Sequence, residues 1–240
     1  MANLLIDIGN TALKAAWADG ITLGKTFRYQ GERIMDFILS LVDKIKPDVM
    51  VISSAKELSN VNLAKLEKEC NQLLVLDSAH SNIMEDNGIP DYLSPDRAAS
   101  IIAARYLFKG KGCTIFDFGT TLAIDFLDEK GTYTGGNLSV GCRTRFKALN
   151  RYAKSLPLVD TPEDIVSQGS GVVSAIGTGV VQGIIYEIEG YMSDYPNNIL
   201  VFTGGDSIYF AKRMKNSIFV VCNLILMGLA IIADKYGKIN

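Results

Sequence analysis

The chain has a single histidine, His80, and its four cysteines, Cys70, Cys113, Cys142 and Cys222, are scattered without a C-x-x-C pair. One imidazole cannot build an H-E-x-x-H zinc site and makes a His-dependent triad a poor expectation, so His80 reads as a solvated loop residue. The cysteine spacing suggests neither a zinc site nor a disulfide framework, and points to a reduced, cytoplasmic setting. An excess of one charge is also missing, with 24 Lys and Arg against 26 Asp and Glu and a net charge of -2. That balance gives no electrostatic case for wrapping nucleic acid or lying on an anionic membrane, and a small-molecule partner fits better. The longest apolar run, Ile218 to Ala233, is divided by Asn223 and Gly228. It falls short of the roughly 18 to 20 residues of a bilayer helix. It reads as a strand followed by a buried helix. Asp7 interrupts the apolar N-terminus at once, so a signal peptide is not expected.

What is present is a large apolar fraction, 48% of 240 residues, enough for one large core or two smaller ones. The first half reads as three strands, 3–9, 11–18 and 21–29, separated by Gly-Asn and Asp-Gly turns. A helix over 32–45 follows, with Ile34, Phe37, Ile38, Leu41 and Ile45 at helical spacing and Pro47 past its end. A strand at 48–54, a helix at 62–70 and a strand at 72–77 complete the order βββαβαβ. The second half starts again at Cys113, with strands at 113–119, 121–128 and 131–140 and helices at 143–155 and about 171–192. A strand at 198–204, a helix, a strand at 218–221 and a last helix close the chain. The glycine-rich stretch "KGKG" at 109–112 marks the boundary, giving lobes 1–110 and 111–240.

The phrase "LLIDIGNT" at 4–11 returns as "TIFDFGTT" at 114–121. In each, a buried strand carries an acid to its carboxyl end, a glycine frees the turn, and two short polar residues follow. Outward-facing N–H groups in such a turn can hold a phosphate, and the carboxylate can hold a cation or a metal-bound water against it. Lys14 can add a positive charge. A single D-x-G-N-T is most simply a hairpin turn. The second copy, with Asp117, Gly119, Thr120 and Thr121, turns the reading to a paired metal and phosphate site in a cleft between two duplicated lobes.

Three further segments stand out. In "VFTGGDS", 201–207, glycines let a flat ring approach the backbone, or the segment is a helix start capped by Asp206 or Thr203. Gly177, Gly179 and Gly183 lie within a helical pattern and suggest close helix packing, including across a dimer interface. In "SPDRAASIIAARYL", 94–107, Ser94 suits an N-cap and Pro95 the first helical position, which puts Asp96 and Arg97 in the first turn. Asp96 there also suits the helix dipole, and Arg97 suits a carboxylate ligand or a surface ion pair.

In order, "DIGNT", "LSPDRAASIIAAR", "FDFGTTLAID", "GGNLSVG", "LPLV" and "FTGGD" resemble the actin, hexokinase and heat-shock chaperone superfamily of duplicated ribonuclease-H-like lobes. Within it the set is most similar to type III pantothenate kinase, over almost the whole chain. The resemblance implies an α/β fold of two actin-like ATPase lobes with a nucleotide cleft. It implies phosphorylation of pantothenate by ATP, with Mg²⁺ and a monovalent cation, K⁺ or NH₄⁺, in a homodimer. By that likeness Asp7, Ile8, Gly9, Asn10, Thr11, Ala12, Leu13 and Lys14 hold the ATP phosphates, Thr120 the nucleotide and Asp117 the monovalent cation. Asp96 is the general base, and Ser94, Pro95, Asp96, Arg97 and, from the partner subunit, Val172 line the substrate site.

The chain departs from the family pattern mostly around the substrate. Ser94 replaces the glycine of G-x-D-R, Asn87 a tyrosine, Val140 a proline, and Ala153 and Val172 threonines. Lost hydroxyls loosen discrimination between similar substrates. The alternative to an active kinase is therefore a kinase-like nucleotide-binding regulator or scaffold.

Overall fold

The computed structural model describes residues 2–77 and 79–237. Along the first half run β1 (Asn3–Ile8), β2 (Leu13–Asp19), β3 (Thr22–Tyr29), α1 (Ile34–Val42), β4 (Val49–Ser54), α2 (Asn60–Lys68), β5 (Gln72–Val75), α3 (Ile83–Asp86) and α4 (Pro95–Leu107). The second half carries β6 (Cys113–Phe118), β7 (Thr121–Leu127), β8 (Tyr133–Val140), α5 (Cys142–Tyr152), α6 (Val172–Asp194), β9 (Ile199–Gly204), α7 (Ser207–Ala211), β10 (Ile218–Val220) and α8 (Leu224–Tyr236). Each half forms a five-stranded mixed sheet, with orders β3-β2-β1-β4-β5 and β8-β7-β6-β9-β10. In both, the first three strands form an antiparallel meander and the last two lie parallel to the first. The expected βββαβαβ order is therefore present in the first half, followed by α3 and α4, and the second half repeats it with two helices, α5 and α6, between β8 and β9 and with α8 at its end.

The chain divides into two compact units, 1–107 with 223–240, and 108–222. The sequence reading closed the second lobe with the last helix, whereas the structure packs α8 in the first unit. Packing of α8 on α4 is the reason. Gly228 lets the helices cross so closely that a Cβ there would collide with the Ala99 carbonyl. The end of α8 is tied down as well, because Gln72 Nε2 donates to Tyr236 O at 3.3 Å.

In the first unit, strand alternation separates two layers. Leu4, Ile6 and Ile8 of β1 pack with Ile38 and Val42 of α1 and Leu66 of α2. The opposite face of β1, with Asn3, Leu5 and Asp7, is the one that α8 covers. In the second unit Phe116, Phe118 and Phe202 of the strands form an aromatic core with Phe210 of α7, beneath α5 and α6. Phe118 stacks on Phe210 with centroids 5.0 Å apart and tilts against Phe202 at 4.8 Å. Rings in these arrangements add about 0.5–1.5 kcal/mol per pair beyond their buried area. They stiffen the strands β6 and β9, whose ends carry Asp117 and Gly204.

The run 218–233 is the strand β10 and most of α8, as expected. Among the described residues one helix, α6, is long and apolar enough to cross a membrane, and 44% of its apolar window is buried inside the fold. One face of it, with Ile176, Val180, Ile184 and Ile188, packs into the core of the second unit. Gly177 of α6 faces Pro162, and Gly183 leaves room for the Arg145 side chain, 3.7 Å from where a Cβ would stand. Two of the three glycines expected to mark helix packing thus serve contacts inside the chain, and only Gly179 opens on free space.

Candidate active site

The first hairpin is built as its sequence suggests. Ile8 and Leu13 are buried and pair across β1 and β2, and the four residues between them close with Gly9 N donating to Ala12 O at 3.1 Å. Asn10 and Thr11 stand exposed at the tip. Asp7 is 6% exposed and opposes Lys14 on one side and Ser53 on the other, so the acid and the lysine share a face of the sheet. Ser53 Oγ donates to Asp7 Oδ1 at 3.3 Å. A buried serine 46 residues away therefore helps to hold the carboxylate, a partner that sequence reading did not single out.

The second hairpin is one residue shorter. Phe118 pairs with Leu122, and Gly119 N donates to Thr121 O at 3.0 Å. Asp117 opposes Ala123 and Thr203. Gly204, the last residue of β9, has φ +89°, a backbone state glycine enters without strain. A Cβ on it would collide with Asp117 Oδ1 and lie 2.6 Å from Phe118 O. The sequence reading offered this glycine as a seat for a flat ring, whereas its immediate neighbours are the Asp117 carboxylate and the Phe118 carbonyl. Gly205, next along, stays exposed. The Thr120 carbonyl accepts from Gly141 N at 3.1 Å and from Thr144 Oγ1 at 2.8 Å, which ties the turn to the start of α5 and leaves the Thr120 residue exposed.

Asp206 was foreseen only as a helix cap. It stands at the cap of α7 but makes no side-chain cap hydrogen bond. Burial raises its carboxyl above the usual range, and the Arg143 guanidinium works against that rise. Asp206 and Arg143 lie 63 residues apart in sequence, so no local pattern links them.

Asp96 and Arg97 open α4 as expected. Ala98 N donates to Ser94 O at 3.0 Å, which gives Ser94 the cap position with Pro95 first in the helix. Asp96 is half-buried and its Oδ1 accepts from Arg97 N at 2.9 Å. Arg97 is 8% exposed, so it is no surface ion pair. The direction of α4 follows from its neighbour. Gly237, just past α8, lies against Val49, the first residue of β4, so α8 ends at the amino edge of the parallel strands. Arg105 of α4 donates to Asn87 O at 2.6 Å, and Lys235 and Tyr236 of α8 bond the Asn87 side chain at 3.4 and 2.9 Å. Both helices therefore end together, and Asp96 stands at their other end, toward the carboxyl edge where Asp7 lies. Asn87 is at the far end of α4 from Asp96 and Ser94.

Val172 begins α6 and is 56% exposed. It lines a groove of about 840 Å³ in the second unit, together with Leu158, Pro162, Val166 and Val173. His80 is an exposed loop residue whose Nδ1 bonds Asp77 at 2.8 Å. None of the four cysteines is in a disulfide, and among the described residues no three His, Cys, Asp or Glu side chains gather to hold a metal.

The model of one family, type III pantothenate kinase, matches residues 3–194. The chain belongs to the type III pantothenate kinase family. A type III pantothenate kinase of Bacteroides fragilis is 35% identical to it over 233 residues, covering 95% of each chain. The fold is similar to two more distant solved structures. One is an activator of 2-hydroxyisocaproyl-CoA dehydratase from Clostridium difficile with bound ADPNP, with TM-score 0.60, 12% identity and coverage of 99% and 96%. The other is the ROK hexokinase of Thermus thermophilus, with TM-score 0.55, 11% identity and coverage of 96% and 98%. These likenesses bear out the duplicated actin-like lobes, and the family match bears out the resemblance read from the motifs.

Proposed function

We propose that this chain, as a type III pantothenate kinase, transfers the γ-phosphoryl group of ATP to the hydroxyl of pantothenate, giving 4′-phosphopantothenate at the start of coenzyme A synthesis. The family match over 3–194 carries the reading. The paired hairpins support the assignment of residues to roles.

In this scheme residues Asp7, Ile8, Gly9, Asn10, Thr11, Ala12, Leu13 and Lys14 hold the ATP phosphates. The turn offers backbone N–H groups and Lys14 adds charge on the face that carries Asp7. Thr120 faces the nucleotide from the second hairpin. The Asp117 carboxylate and the Phe118 carbonyl both lie close to Gly204 at the strand end, and two such oxygen donors near each other suit a hard monovalent cation, K⁺ or NH₄⁺. Mg²⁺ is commonly held by one or two carboxylates together with the substrate's own phosphates. The Asp7 carboxylate, buried at the strand end beside the phosphate-holding turn, fits that role. These cations supply charge neutralisation on the transferring phosphoryl group.

Asp96 takes the hydroxyl proton of pantothenate. A positioned base is worth about 10² to 10⁴ in rate. Ser94 and Pro95 fix the helix start that aims it, and Arg97 pairs with the pantothenate carboxylate. Topology supports the grouping, because Asp7 and the start of α4 lie toward the same edge of the first unit's sheet. Val172 meets the substrate from a partner subunit. An exposed stripe on α6, with Val172, Ala175, Gly179 and Tyr186 at helical spacing, supports a homodimer. Buried free thiols at Cys70, Cys113 and Cys142 suit the reducing cytoplasm.

The test is ADP release from ATP with and without pantothenate, repeated in K⁺, NH₄⁺ and Na⁺. Release that pantothenate stimulates, and that needs K⁺ or NH₄⁺, is expected. No stimulated release under any cation contradicts the reading and leaves the nucleotide-binding regulator.

A further inference from the structure

Residues 153–171 contain no helix or strand, yet they form one wall of the groove that Val172 and Val173 complete. An irregular stretch of that length inside a compact unit is either functional or disordered, unless something holds it. Here three elements grip its centre. Tyr209 of α7 donates its hydroxyl to Pro162 O at 2.6 Å. The Arg213 guanidinium lies over the Tyr209 ring, 3.5 Å from the centroid, and donates to Tyr209 O at 2.8 Å and to Glu163 O. Cys142 Sγ, at the start of α5, is 3.8 Å from Thr161 Oγ1. Pro162 packs against Gly177 of α6, at 3.3 Å from where a Cβ would stand. On either side of the gripped residues, Leu158, Asp160, Asp164 and Val166 are exposed along the groove.

We infer that Tyr209 and Arg213 are positioning residues for pantothenate: through Pro162 and Glu163 they fix the 158–166 wall of the Val172 groove. Both sit within nine residues of Gly204, so a short stretch of chain links the strand end that borders Asp117 to the residues that grip the groove wall. Arginine is the residue this needs, because a planar guanidinium stacks on the ring while its separate N–H groups reach two carbonyls, and a lysine ammonium cannot do both. The inference rests on the proposal that Val172, which lines this groove, meets the pantothenate of the partner subunit.

The experiment compares wild type with Tyr209→Phe and Arg213→Lys. Loss of one hydrogen bond is worth about 0.5–1.5 kcal/mol, or roughly a 2- to 10-fold change in an equilibrium constant. The expected result is a KM for pantothenate raised by about that factor in both variants, with kcat and the KM for ATP within about twofold. Hydrogen–deuterium exchange at 158–166 should quicken in both. An unchanged KM for pantothenate, or equal rises in both KM values, overturns the inference. Should wild type show no pantothenate-stimulated turnover, the functional proposal itself fails. The exchange measurement then judges the clamp alone, and unchanged exchange at 158–166 in Tyr209→Phe overturns it.

Discussion

Asp7 and Asp117 occupy the same slot in their two sheets. Each is the last residue but one of a central strand, flanked by an antiparallel hairpin partner, Lys14 or Ala123, and by a parallel neighbour, Ser53 or Thr203. The partners differ in chemistry, in keeping with the different roles proposed for the two acids. Asp7 has a lysine and a serine hydroxyl beside it, as a phosphate-holding hairpin needs. Asp117 has alanine and threonine as strand partners and a glycine packed against its carboxylate, and in the proposed scheme it is the ligand of the monovalent cation.

Gly204→Ala tests that geometry. A left-handed backbone costs an alanine about 1–2 kcal/mol, and the added methyl would collide with the Asp117 carboxylate. The variant should unfold at lower temperature and lose its K⁺ stimulation, both measured on the same preparation. Retained stability would mean the strand end is laxer than its φ of +89° requires.

Asp96→Asn should lower turnover at least about tenfold while ATP affinity, by calorimetry, stays within about twofold. The amide keeps the size and can still accept the Arg97 N–H bond, so a fall in rate reports the lost base rather than a lost helix start. Equal turnover in the variant would remove Asp96 from the chemistry.

Much of this was legible in the strings. Apolar runs cut by glycine turns gave the strand order, and "DIGNT" with "DFGTT" gave the equivalent acids. What escaped depended on residues far apart in sequence. The last helix follows the second lobe in sequence but packs on α4, through Gly228 against Ala99, and neither residue announces the other. The α6 glycines suggested a partner helix, and Pro162 and Arg145 of the same chain account for two of them. Asn87 aligned with a substrate residue, but its hydrogen bonds lead to Arg105, Lys235 and Tyr236 at the opposite end of α4 from Asp96.

The α4–α8 crossing gives a stability prediction. Gly228→Ala inserts a methyl where the Ala99 carbonyl already sits, and overpacking of this kind costs about 1–3 kcal/mol. Urea denaturation should show the midpoint falling accordingly. A neutral effect would mean the helices can part without loss.

Thiol chemistry should separate the cysteines. Cys222 is exposed, whereas Cys70 and Cys113 are buried and burial pushes both thiols up to about 11, with Cys142 raised for the same reason. A native sample at pH 8 should label one thiol quickly and three only after unfolding. The raised values also set a pH window. Unfolded thiols ionise near 9 and the folded ones near 11. The stability these thiols contribute is complete below about pH 9 and is lost as pH rises from there to about 11. A denaturation midpoint that stays flat over that interval would contradict the burial of both thiols.

The most direct test of the whole account is to incubate the protein with ATP, pantothenate, Mg²⁺ and K⁺ and to follow the phosphorus signals by NMR. The account predicts one 4′-phosphopantothenate for every ADP formed, at a rate cut at least about tenfold by Asp96→Asn. ADP formed without that product, or no turnover in either K⁺ or NH₄⁺, would contradict it.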